Sequence, residues 1–111
     1  MLTPELDEFI VHMPKVELHI HLEGSVAPRT LLELAKRNNI EIPAHDVMGI
    51  ERLFKYRNFS EFLSVFMVLT QTIVHSEDFA SLGYELGMIL AEQNVLYAEV
   101  MLSPMQHRLR G

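Results

Sequence analysis

Cysteine and tryptophan are both missing from these 111 residues. Without cysteine no disulfide can staple the chain and no thiolate can hold a metal, which fits a reducing compartment, so the cytoplasm is the expected setting. Basic residues are scarce: 9 Lys and Arg stand against 15 Asp and Glu, a net charge of -6. A phosphate backbone attracts the opposite balance, and nucleic acid is not an expected partner. No apolar run approaches the ~18 residues of a membrane span, and the segment from Met1 to Glu8 is acidic where a secretory leader is basic. No membrane partner is expected either. What is present is a globular composition, 49% hydrophobic and 22% charged, with ample material for a core.

The chain is organised around Lys15-Val16-Glu17-Leu18-His19-Ile20-His21-Leu22-Glu23-Gly24-Ser25. Val16 to Leu22 reads as a strand, with aliphatic residues alternating with Glu17, His19 and His21. Strand side chains repeat every second residue, so His19 and His21 leave one face and their imidazoles can converge on one ion. On a helix the same spacing would send them to opposite sides. Zinc is the candidate metal, but a catalytic zinc needs about three protein ligands, so two histidines are an incomplete site; histidines hydrogen-bonded within the fold are the alternative. The strand's other face, Val16, Leu18 and Ile20, is wholly aliphatic, so the polar face is expected to look into a shared polar cavity. Leu22 to Ser25 then forms a turn carrying an acid and a glycine beside the two histidines.

Around this strand the elements alternate. Thr3-Pro4 is a helix start, predicting a short helix from Pro4 to about Val11 whose Phe9 and Ile10 cover the floor under the strand. Pro28 to about Asn38 is a second helix, with Leu31, Leu32, Leu34 and Ala35 on its apolar stripe and Asn38-Asn39 suited to its end. Ile40 to Asn58 reads as loop with one short helix near Asp46 to Phe54. Ser60 is expected to cap a helix from Glu61 to about Val74, and Ser76 another from Glu77 to about Gln93. Val95 to Leu102 is a second, near-continuously apolar strand of the buried parallel kind. Gln106 to Gly111 is expected to begin a loop.

The segment from Pro14 to Ser25 resembles the opening strand of the adenosine deaminase family, zinc-dependent (β/α)8-barrel hydrolases of the amidohydrolase superfamily. Pro28 to Ala35, Phe59 to Phe66 and Asn94 to Pro104 follow in the family's order and spacing. The resemblance implies an α/β fold, the N-terminal part of a TIM barrel comprising its first two strands and intervening helices, with residues 1–111 one segment of a single barrel domain. A complete barrel takes about 250 residues, so the remainder of the barrel is an expected partner and the segment alone is expected to be inactive and poorly stable. Part of Ile40 to Val74 would then form a lid on the active-site face, and the helix after Ser76 the outer-ring crossover.

The same resemblance implies zinc held by His19 and His21, with the other ligands and every proton-moving group on later strands. The implied reaction is hydrolytic deamination of a 6-aminopurine, adenosine to inosine and ammonia in the leading reading. Glu23 and Gly24 fall at the substrate side, and Phe62 and Phe66, with Phe59, resemble a hydrophobic gate over the purine. Adenosine-acting members commonly carry aspartate where this chain has Glu23, making a hydrogen bond to the sugar. That departure leaves adenine or an aminodeoxyfutalosine-like substrate as alternatives, and a non-catalytic binding or structural module as a reading of another class. Glu17 and Glu99 are expected to be structural strand acids, and Met101 stands where the family often has arginine.

Overall fold

In the computed structural model, which describes residues 1–109, two parallel strands are joined by a long helical excursion. Helix α1 (Pro4–His12) is capped by Thr3, whose hydroxyl accepts from the Leu6 amide at 3.3 Å. It buries none of its residues, and Phe9 is largely exposed, so the expected floor contact is not made among the described residues. Strand β1 (Lys15–His21) pairs in parallel with β2 (Val95–Met101), with His21 opposite Met101 at the C-terminal end. Both strands begin on one fastening. The Lys15 ammonium donates to the Val11, Met13 and Gln93 carbonyls at 3.2, 3.0 and 2.7 Å, and the Lys15 backbone N–H donates to the Asn94 carbonyl at 3.0 Å.

Between the strands run a 3-10 turn (Leu22–Gly24), α2 (Pro28–Arg37), α3 (Val47–Leu53), α4 (Phe59–Gln71) and α5 (Ser76–Glu92). Asn39 and Asn94, at φ 53 and 56, turn the chain out of α2 and α5 in the left-handed conformation that asparagine tolerates. The cap of α4 is Asn58 and not Ser60: its backbone is extended, and its Oδ1 takes the Glu61 amide at 2.9 Å. Likewise α5 begins at Ser76 behind His75, because the Asp78 carboxylate three residues on accepts the His75 amide at 2.9 Å. After β2 the chain forms a short helix α6 (Pro104–Arg108) where a loop was expected.

The core lies in the helical layer. Leu31, Leu34 and Ala35 of α2, Ile50 of α3, Leu69 of α4 and Leu82 of α5 form one cluster with Ile42, Ala44 and Ile73 from the connections between them, all buried. The sheet is barely covered: Ile20 is buried, but Val16 and Leu18 are exposed on its face of β1, as are Leu96 and Val100 on β2. Buried parallel strands ordinarily have both faces packed, and within residues 1–109 these faces are not. No helix among the described residues is long and apolar enough to cross a membrane.

Candidate active site

His19 and His21 leave β1 on one side, and their Nε2 atoms stand 3.2 Å apart with ring centroids at 5.0 Å. Two zinc donors bonded at about 2.0–2.1 Å and held at the tetrahedral angle stand about 3.3–3.4 Å apart. The pair therefore has the spacing of one edge of a zinc tetrahedron, and also that of an N–H···N hydrogen bond in which one ring donates and the other accepts. Among the described residues no third histidine or carboxylate joins them to complete a three-ligand group.

An open cleft of ≈ 400 Å³ runs beside the histidines, lined also by Glu17, Gly24, Phe62 and Phe66. Helix α4 supplies the aromatic wall: Phe66 stands edge-on to His21 at 6.3 Å, Phe62 lies 6.0 Å from Phe66, and exposed Phe59 stacks 6.0 Å behind Phe62. The aromatic spacing in the sequence thus reaches the histidines through Phe66 first. Gly24 does not adopt a left-handed backbone, and a β-carbon there would meet the Phe66 ring at an ordinary contact distance of 3.4 Å. Short α3 packs against α2 and does not line the cleft, so of the segment from Ile40 to Val74 only α4, through Phe62 and Phe66, reaches it. Of the strand acids, Glu17 lines the cleft, and Glu99 accepts from the Tyr97 hydroxyl at 3.1 Å.

Glu23 is placed differently from the rest. Its side chain is fully buried and absent from the cleft lining; Oε1 accepts the Ser103 amide at 2.8 Å and meets His107 Nε2 at 3.0 Å. Burial pushes the carboxyl pKa up, but the Ser103 amide, the residue's own amide and the His107 imidazole outweigh it, and the net direction is down. His107 is itself held edge-on against Phe79 of α5, centroids 4.8 Å apart. Ser103 and His107 were not singled out from the sequence. Ser103-Pro104 is nonetheless a helix-start pair, which would have put His107 on a helix one turn beyond β2.

Residues 14–111 match the family model described as adenosine deaminase. The chain belongs to the adenosine deaminase family. An adenine deaminase of Zymomonas mobilis is 37% identical over 106 residues, 96% of this chain and 32% of that protein. An aminodeoxyfutalosine deaminase of Acidothermus cellulolyticus is 32% identical over 110 residues, 99% of this chain and 31% of that protein. The crystal structure of an adenine deaminase from Arthrobacter aurescens superposes with a TM-score of 0.81 at 30% identity, over 88% of this chain and 30% of that one. The N6-mAMP deaminase of arabidopsis gives 0.71 at 27%, over 87% and 29%. The chain spans about a third of the length of these relatives. Within this deaminase family its fold is a partial barrel, two parallel strands with the helices between them.

Proposed function

We propose that residues 1–111 are the N-terminal segment of a single barrel domain whose complete protein is a cytoplasmic, zinc-dependent hydrolase removing the amino group of a 6-aminopurine. The observation that carries this reading is the convergence of the His19 and His21 Nε2 atoms to 3.2 Å at the C-terminal end of a parallel strand, beside an aromatic-walled cleft. That end of a barrel is where catalytic groups collect. His19 and His21 hold the zinc; when bound, the metal supplies a nucleophile from water at neutral pH. Phe66 and Phe62 cover a face of the purine and keep bulk water from it, and Gly24 lies in the turn beside Phe66. The remaining metal ligands and the groups that move protons belong to later strands of the complete barrel.

Free adenine is the proposed substrate in preference to adenosine. The Glu23 carboxylate, the one side chain whose resemblance pointed to a sugar contact, is enclosed and engaged with Ser103 and His107, which leaves the ribose without that acceptor. The naming of similar proteins as adenine deaminases supports the same choice. Deamination followed by ultraviolet absorbance in the zinc-loaded, full-length product, with both substrates side by side, tests it. Adenine is expected to turn over at least ~100-fold more efficiently by kcat/KM, the scale set by a lost polar contact at a specificity site. Faster turnover of adenosine overturns the adenine assignment, and turnover of no 6-aminopurine by the zinc-loaded protein overturns the enzyme reading.

A further inference from the structure

We infer that Glu23 and His107 form a clamp that positions the metal-binding end of β1, and that Glu23 acts through its reach and not by touching substrate. This rests on the proposed zinc role of His19 and His21. The last paired residues of the sheet are His21 and Met101. Each chain then runs two residues further, to Glu23 and to Ser103, where the ladder has ended. There the Glu23 Oε1 takes over the ladder's task, accepting the Ser103 amide at 2.8 Å while His107 Nε2 closes on the same oxygen at 3.0 Å. One oxygen thus ties the turn after β1 to both the start and the body of α6.

The turn is short, and two of its three residues make separate contacts. Glu23 reaches α6, and Gly24 bears on Phe66 of α4, which in turn stands against His21. Movement of this turn therefore displaces the His21 backbone and the aromatic wall together. The Glu23 side chain is wholly enclosed even with so much of the sheet uncovered, and its second oxygen takes no hydrogen bond from any described residue. A buried acceptor left unpaired costs free energy; a residue kept for stability alone would be better replaced by an apolar one. Groups that orient metal ligands commonly change metal affinity about 10- to 100-fold when removed.

Reach and charge are separable by substitution. E23D keeps the charge and falls one methylene short of Ser103 and His107; E23Q loses the charge and keeps an acceptor at Oε1. In the full-length protein, zinc affinity measured by competition with a chromophoric chelator is expected to fall about 10- to 100-fold in E23D and in H107A. It should stay within about threefold in E23Q and in H107Q, which retains a donor. The E23D/H107A double variant should lose little more than either single one, since the two cut the same link. Thermal unfolding of each variant, recorded alongside, identifies any that has failed to fold, and H107A, at the short helix α6, removes the His107 arm of the clamp while leaving the Ser103 amide on Glu23. Loss in E23Q with retention in E23D, unchanged affinity in folded H107A, or effects that multiply in the double variant overturns the clamp. A parent that binds zinc but deaminates no purine refutes the proposed function alone; a parent that binds no zinc refutes both.

Discussion

Replacing Asp78 by asparagine tests whether a single carboxylate organises the junction of α4 and α5. Asp78 is 1% exposed, and its Oδ2 accepts the Val74 and His75 amides at 2.9 Å each and the Asn38 amide group at 2.8 Å, while Oδ1 pairs with Arg37. Burial would raise its pKa, but the His75 and Val74 amides, Asn38 and Arg37 together bring it from 3.8 down to about 2. By linkage that fall corresponds to about 2 kcal/mol of folding stability. The Arg37 side chain is 54% exposed, so its share is screened and the backbone amides carry most of the effect. The sign follows from the depressed pKa: the contribution is complete above 3.8 and is lost as pH falls through about 2. Urea unfolding of the full-length parent and D78N, at a series of pH values, reads this directly. D78N should be less stable by about 2–3 kcal/mol near neutrality, because asparagine keeps one acceptor oxygen for the Val74, His75 and Asn38 donors and sets its amide nitrogen against the Arg37 guanidinium, donor facing donor, and the gap should narrow by about 2 kcal/mol on acidification. A gap of the same size in acid as at neutral pH refutes the assignment of the charge to this role.

Three further outcomes are expected. H19A and H21A should each weaken zinc binding by more than about 100-fold in the chelator competition, whereas loss in neither removes both from the metal site. G24A should leave the unfolding midpoint within about 0.5 kcal/mol of the parent, since the added carbon meets Phe66 at an ordinary 3.4 Å. By contrast G49A, whose carbon would stand 3.0 Å from Asp46 Oδ1 and 3.2 Å from Ala44, should cost about 1 kcal/mol through the crowded cap of α3; a G49A variant as stable as the parent refutes that crowding.

What the sequence disclosed was whatever depends on neighbours within a few positions. Strand β1 spans Lys15–His21 against an expected Val16 to Leu22, and β2 differs from its expected span by one residue, because period-two patterning is a local property. The paired faces of His19 and His21 followed from the same rule. Helix starts were less secure where two capable residues compete: Asn58 and Ser60 can both cap, and the choice fell to the one whose oxygen reaches the Glu61 amide. Ser76 lost its expected place to His75 for a different reason, since the side chain that holds the first turn of α5 is Asp78, supplied from inside the helix. The cleft residues Phe62 and Phe66 were legible as an aromatic pair, while their order of approach to His21 depends on how α4 crosses the strand end.

Glu23 was the least legible residue, and the cause is chain separation. A glutamate in a turn after a strand looks like a solvated acid or a ligand contact, and nothing within ten positions argues for burial. Its partners come from Ser103 and His107, some eighty residues on, brought within reach only because β1 and β2 lie side by side and in parallel. The same pairing explains where this segment is self-sufficient. The helices fill a core of their own, so their positions are set by packing among themselves. The strand bearing the histidines has one partner strand and faces largely uncovered, so within the segment its end is held by the ladder to β2 and by the Glu23 link beyond it. The two imidazoles are therefore aimed by contacts distant in sequence, and the accuracy of the proposed metal site would be a property of the closed barrel, not of the His-x-His pattern.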